Sequence, residues 1–314
     1  MPPAASAPRM GAPEWAAMLV LSLLWGGSFF FYKILVATLP PFTLVLGRVG
    51  IAALALHGLL MARRDPLRLP PQLWGPFLIL GLLNNALPFS LIAFGEIRIT
   101  SGAAAILNAT TPIFTVLVAH AWTADEKLTP AKAAGVLAGF LGVAVLIGPE
   151  AFSGLGRGDL VGDGACLLAA LIYGFGAVYG RRFKVIAPLK IATAQVTAAT
   201  LVLLPVAALA DRPWDLPMPA AGTWAAWLAL ALLSTALAYL LYFRILKVAG
   251  ATNLVLVTFL LPGSALILGA AFLAEAITPR ALGGLALIGL GLAAIDGRVW
   301  GMKNRLLDAK RRPT

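Results

Sequence analysis

"LLWGGSFFFYK", Leu23 to Lys33, has an echo in "LIYGFGAVYGR", Leu171 to Arg181. Trp25-Gly26 becomes Tyr173-Gly174 and Lys33 becomes Arg181, at an offset of 148. The echo continues along the chain. Pro40 returns as Pro188, "LLNNAL" (82–87) as "LLSTAL" (232–237), Pro112 as Pro262, and "EKLTP" (126–130) as "EAITP" (275–279). Gly135 and Gly142 return as Gly284 and Gly291. No single match is specific, but a shared order at nearly constant offset is, and the chain reads as two like halves.

Composition says what those halves are made of. Of 314 residues 60% are hydrophobic and 12% charged, with a mean hydropathy of +0.91; soluble chains carry about 25% charged residues. Ten apolar segments can be drawn, near 15–37, 41–62, 74–95, 100–122, 131–149, 160–182, 188–210, 223–245, 251–274 and 280–299. Most approach the ~20 residues that a helix needs to cross ~30 Å of hydrocarbon. The expected fold is all-α and integral to the membrane. Residues 1–13 read as a disordered tail, 14–149 and 160–299 as five-helix repeats, 150–159 as an external linker and 300–314 as a basic cytoplasmic tail. The first segment lacks the basic flank and cleavage site of a signal peptide, so it counts as a helix. The single cysteine, Cys166, excludes an internal disulfide and a cysteine-based metal site.

Charge orients the bundle. With ten spans both termini share a side, and 18 of the 24 Lys and Arg residues fall there. Lys33, Arg98, Arg157, Arg212 and Arg280 fall opposite, and Arg48 lies inside the second segment. That bias predicts cytoplasmic termini in a multi-pass protein of the plasma (inner) membrane. It also accounts for the net charge of +11 without a nucleic-acid partner; the bilayer, with its anionic headgroups, is the partner that the charge implies. Five helices per half is an odd number, so the second half enters from the other side. Inverted repeats of this kind belong to secondary transporters, which bind substrate near the midplane.

These residues resemble the drug/metabolite transporter superfamily, in its ten-helix EamA-type branch. The resemblance covers 14–299. It rests on the aromatic-Gly pairs, Lys33, Pro40-Pro41 and Arg48, "ILNATTPIFTVLVA" (106–119), the E-x-[LI]-T-P turns and the Gly-rich fifth and tenth segments. It implies a carrier of small metabolites, commonly an exporter, with a central cavity lined mainly by helices 1, 3, 4, 6, 8 and 9. It does not fix the substrate.

Several residues are candidates for the cavity. Gly26 and Gly174 suit either close helix packing or a thin cavity wall, with Trp25 and Tyr173 as facing aromatics. Pro112 and Pro262 each remove a backbone donor and free the carbonyl four residues earlier, on Asn108 and Thr258, giving a hinge or a static kink. Asn84-Asn85 interrupts the third segment where Ser234-Thr235 interrupts the eighth, and suits interhelical hydrogen bonds or substrate contact. Ser28, Tyr239 and Asn253 complete an aromatic and amide lining for a molecule with an apolar body and a few polar groups. Lys33 and Arg48 are intramembrane cations. They are expected to pair with Glu96 and Asp163 as a structural group or an outer gate. Glu126 and Glu275 read as interfacial. Gly135 and Gly139 form a GxxxG pair, so helices 5 and 10 pack on each other or support a homodimer.

No catalytic, metal-binding or nucleotide-binding string is present, so no cofactor is expected. "GRGD" (156–159) fits the G-x-G-D string of intramembrane aspartyl proteases, but no Tyr-Asp pair supplies a second aspartate. The sequence thus predicts a non-enzymatic carrier of a small-molecule substrate, with amino acids or similar amphipathic compounds preferred. A multidrug exporter is the alternative within transport. A non-transporting scaffold or an intramembrane enzyme is the alternative outside it. No acidic residue lies mid-segment, so proton antiport and facilitated movement remain equal.

Overall fold

The computed structural model describes residues 10–99, 101–149, 160–261, 263–264 and 278–295. The linker, the C-terminal tail, Pro262 and Glu275 lie outside these residues, as do residues 1–9 of the N-terminal tail, whose Ala12 and Pro13 already belong to the first helix. All regular structure among the described residues is helical. The first helices are α1 (Ala12–Leu35), α2 (Pro41–Ala62) and α3 (Pro71–Arg98). Next come α4 (101–122), α5 (Pro130–Ile147), α6 (Leu160–Gly180) and α7 (Pro188–Ala210). α8 covers 221–249, α9 starts at 251, and α10 is Pro279–Ile295. Among the described residues seven stretches are long and apolar enough to cross a membrane, and Pro130–Leu146 and Leu282–Ile295 are shorter apolar helices. Large side chains such as Leu54, Leu209 and Leu290 stand on outer faces, as they do where lipid rather than water is the surrounding medium.

Helix starts follow local chemistry. Pro41, Pro130 and Pro188 open α2, α5 and α7, where a missing N–H costs nothing. Thr129 caps α5 by accepting from the Lys132 amide at 3.2 Å, the N-cap role that its place before Pro130 predicts.

Two interruptions recur at matched places. Leu82–Ala86 in α3 and Leu232–Leu237 in α8 are π-turns, at the LLNNAL and LLSTAL echoes. A π-turn widens the helix by one residue and leaves a carbonyl without its usual partner. α4 breaks at Ala109-Thr110, and Pro112 opens its second part rather than kinking a continuous helix. The Asn108 carbonyl that Pro112 frees accepts from the Thr111 hydroxyl at 2.7 Å. The chain breaks again at Gly250, whose φ of 79° and ψ of 174° are accessible to glycine and strained for other residues.

The packing has a two-fold pattern. α2 lies on its equivalent α7, and α5 on its equivalent α10. α1 packs on α8 while its equivalent α6 packs on α3 and α4. The α5–α10 contact is made by glycines. A methyl at Gly142 would lie 2.7 Å from the Ile288 nitrogen and 2.8 Å from the Gly284 carbonyl, both backbone atoms. Gly135 faces the Gly291 carbonyl in the same way. These glycine faces are therefore used within the chain, and an α5/α10 homodimer would need their other faces.

Gly142→Leu is expected to cost at least about 1–3 kcal/mol, because the opposing backbone cannot move aside. Gly283→Ala, with nothing within 4 Å of the added carbon, should be neutral or stabilising by up to about 1 kcal/mol. Thermal unfolding in detergent checks both; equal melting temperatures for the two variants would contradict the packing described.

Candidate functional site

The displaced carbonyl of Ser234, in the α8 π-turn, organises one wall of an internal cavity. It accepts from Trp25 Nε1 at 3.1 Å and from Arg48 Nη2 at 3.3 Å. Ser234 Oγ donates back to the Leu24 carbonyl at 2.6 Å. α1, α2 and α8 thus meet at one residue. The matching π-turn in α3 works alike: Tyr239 donates its hydroxyl to the Asn84 carbonyl at 2.9 Å and accepts from Asn85 Nδ2 at 2.9 Å.

The cavity and its open mouth together hold about 680 Å³ of empty space. Of the residues expected there, Trp25, Ser28, Asn108, Tyr173 and Tyr239 line it. Trp25 packs against Tyr239 and Tyr242 with centroids 6.4 and 5.8 Å apart. Asn108 is buried with Oδ1 lacking a hydrogen-bond partner. Thr258 also lines the wall, although its hydroxyl donates to the Val255 carbonyl.

Other candidates lie elsewhere. Asn84 and Asn85 sit behind the wall; Asn84 Nδ2 donates to Gln195 Oε1 on α7 at 3.1 Å. Gly26 is buried outside the lining. Gly174 is a contact point between helices: an added carbon would lie 3.1 Å from the Thr115 nitrogen of α4. Asn253 Nδ2 donates to the Ala249 carbonyl at 3.0 Å. Asp163 is buried near the start of α6.

The expected ion-pair group takes a different form. Lys33 is exposed at the end of α1. Arg48 is only 3% exposed and lines the cavity. Among the described residues neither has a carboxylate oxygen within 4 Å. Arg48 instead donates from Nε to Thr235 Oγ1 at 2.8 Å and from Nη1 to the Tyr32 hydroxyl at 2.9 Å. Its guanidinium lies 3.5 Å from the centre of the Phe89 ring. Glu96 is 1% exposed, and both its carboxylate oxygens lack hydrogen-bond partners. Position near a segment end therefore did not keep this acid in the interface.

Sequence reasoning also missed Tyr32, Phe89 and Tyr242 in the lining. The i,i+3 spacing of Tyr239 and Tyr242 was a readable signal for one shared helix face. A role not read in the sequence belongs to Glu126, which lies in the α4–α5 loop and is only 4% exposed. It accepts from the Ala251 and Thr252 amides at 3.0 and 2.8 Å and from the Thr252 hydroxyl. Those amides are the first of α9, freed by the break at Gly250, so the carboxylate caps that helix and meets its positive end. Arg181, past the end of α6, lies 3.3 Å from Glu126 and also binds Asp125. The Asp125–Arg181 hydrogen bond holds the Asp125 carboxyl below its ordinary range, so the pair stays charged at neutral pH. The α4–α5 loop of one half is thereby fastened to α6 and α9 of the other.

Packed apolar helices, an aromatic cavity walled by both halves, and polar groups concentrated at breaks in those helices define a multi-pass membrane protein with an internal cavity. The chain matches the EamA-like transporter family over residues 14–148 and 160–295 and belongs to it. Transporter YoaV of Bacillus subtilis (strain 168) is 25% identical over 88% of this chain and 94% of its own length. An archaeal transporter of Archaeoglobus fulgidus is 25% identical over 89% and 97%. The inner membrane transporter YedA of Escherichia coli (strain K12) is 27% identical over 62% of each chain. A solved crystal structure superposes with a TM-score of 0.70 at 22% identity, over 90% of this chain and 97% of that one, and shares its fold.

Glu126→Ala is expected to destabilise the protein by about 1–3 kcal/mol, the cost of leaving buried donors unsatisfied. Glu126→Gln, which keeps an acceptor, should lose less. Chemical or thermal unfolding in detergent measures both, and an unchanged midpoint for Glu126→Ala would argue against the cap.

Proposed function

We propose that the protein is a secondary transporter that exports small amphipathic metabolites across the plasma (inner) membrane, by alternating access, with ten crossings arranged as two inverted five-helix repeats. One observation carries this reading. The cavity takes its wall from both halves: Trp25, Arg48 and Asn108 come from the first, Tyr173, Tyr239 and Thr258 from the second. Any movement of one half against the other changes the wall on both sides of an occupant, which is what a carrier requires. The breaks at Ala109-Thr110 and Gly250 supply places where such movement costs little regular structure. The Asp125–Arg181–Glu126 contacts fasten the halves at the end that the cation bias makes cytoplasmic.

Protein reconstituted in lipid vesicles should take up a saturable, competable set of compounds from a metabolite extract. Ser28→Phe, which places a ring in the cavity, should lower that flux at least tenfold while the protein still inserts. Undiminished flux in this variant would remove the cavity from the transport path. Reporter fusions after Arg64, Arg182 and Arg312 should score cytoplasmic, and those after Gly154 and Asp215 external. An external C-terminus would overturn the inverted ten-helix arrangement.

A further inference from the structure

Arg48 is a buried cation whose hydrogen-bond partners are all neutral, with Glu96 beyond hydrogen-bond reach but within its electrostatic field. A guanidinium has five N–H donors, and three of these are used, by Thr235, Tyr32 and the Ser234 carbonyl. No carboxylate among the described residues lies within 4 Å of it. The Phe89 ring lies 3.5 Å and the Tyr32 ring 5.3 Å from its centre, and the two remaining N–H groups lie in the guanidinium plane, along its edge. An edge of that kind matches a carboxylate, which it can bind through two parallel hydrogen bonds. A charge buried at this depth is costly unless an anion compensates it.

The rest of the cavity restricts the anion. None of the described lining residues is acidic, so an ammonium group would meet only neutral groups there, ring faces, hydroxyls and the Asn108 amide, while standing in the field of Arg48. Trp25, Tyr173, Tyr239 and Tyr242 offer ring surface for an apolar body. Asn108 Oδ1, buried and without a partner, accepts from a hydroxyl or N–H on that body. Glu96 lies one helical turn beyond the lining residue Ile92 on α3, outside the lining itself and without a hydrogen bond to Arg48.

We propose that Arg48 is an anion-recognition site and that the cavity takes aromatic or bulky apolar monocarboxylates in preference to the matching zwitterions, amines or neutral amides. The proposal rests on the transporter reading and narrows it, moving the expected substrate away from amino acids.

Titration calorimetry of the purified protein in detergent at pH 7.5 tests it with four probes of one size: 3-phenylpropionate, 3-phenylpropanamide, phenylalanine and 3-phenylpropylamine. 3-Phenylpropionate is expected to bind at least tenfold more tightly than each of the others. Arg48→Gln should reduce that preference to about twofold or less, and Arg48→Lys should keep part of it, since the charge survives without the paired donors. The wild-type ranking stands as a test even if Arg48→Gln fails to fold. Glu96→Gln should keep the preference for the anion; its loss there would assign selectivity to the Arg48–Glu96 pair and overturn the proposal. Binding of phenylalanine or the amine as tightly as the acid would overturn it too, as would no binding of any probe. Uptake from a metabolite extract by the same protein in vesicles separates the two readings. If some compounds move while the anion preference is absent, transport stands and the anion site falls; if nothing moves, both fall.

Discussion

The Ser234 carbonyl is the point on which the cavity depends. In a regular helix its oxygen would be hidden by a hydrogen bond to the amide four residues on. The π-turn at Leu232–Leu237 turns it out of that ladder, and no water in the hydrocarbon region is available to satisfy it. Trp25 and Arg48 do so instead. This one backbone atom therefore fixes an indole from α1 and a guanidinium from α2. Both side chains stand in the cavity wall. The α3 π-turn repeats the arrangement with another donor, as Asn84 offers its carbonyl to Tyr239. Backbone irregularity, repeated in the two halves, converts apolar helices into walls with defined polar points.

Much of the architecture was legible because it is written in hydrophobic length and in repeated order. The matched LLNNAL and LLSTAL strings marked the places where both helices depart from α geometry. The chemistry at those places was less legible. Asn84 and Asn85 suited either interhelical hydrogen bonds or substrate contact, and they hold α7 and Tyr239; periodicity cannot decide between the two, because a π-turn redirects side chains by a shift it does not register. Gly174 suited either close packing or a thin wall, and serves as a seat for α4. Small residues meet both demands, and only the neighbouring helix decides between them.

Charged residues were misplaced for a related reason. An acid near the end of an apolar segment reads as interfacial, because position along the chain stands in for depth. Glu126, in the α4–α5 loop, is nonetheless buried in protein because α9 starts beside it, with unsatisfied amides that a carboxylate meets better than water would. The start of α9 was itself hidden in "KVAGATN" (247–253), which has no proline and no charge after Lys247 to mark a boundary. Arg48 departs in the other direction. A cation seven residues past the start of its helix led to a search for acidic partners, but its hydrogen bonds go to hydroxyls and a carbonyl, two rings flank it, and Glu96 reaches it only through its field.

The cap and the cavity share one stretch of chain. Glu126 holds α9 at Ala251 and Thr252, and Leu254 and Val255 of the same helix stand in the cavity wall. At the helical rise of 1.5 Å per residue, Val255 is only about 6 Å from the cap, and a turn at Leu256 separates this helix from Thr258. A displacement of the first turn of α9 is carried to Leu254 and Val255 with little loss, since close-packed helices shift as units rather than deform. Arg181 adds α6 to the same linkage, and α6 supplies Tyr173. The contacts that fasten the α4–α5 loop and the surfaces that enclose an occupant are thus opposite ends of two short helical levers. Neither end can be repositioned without the other.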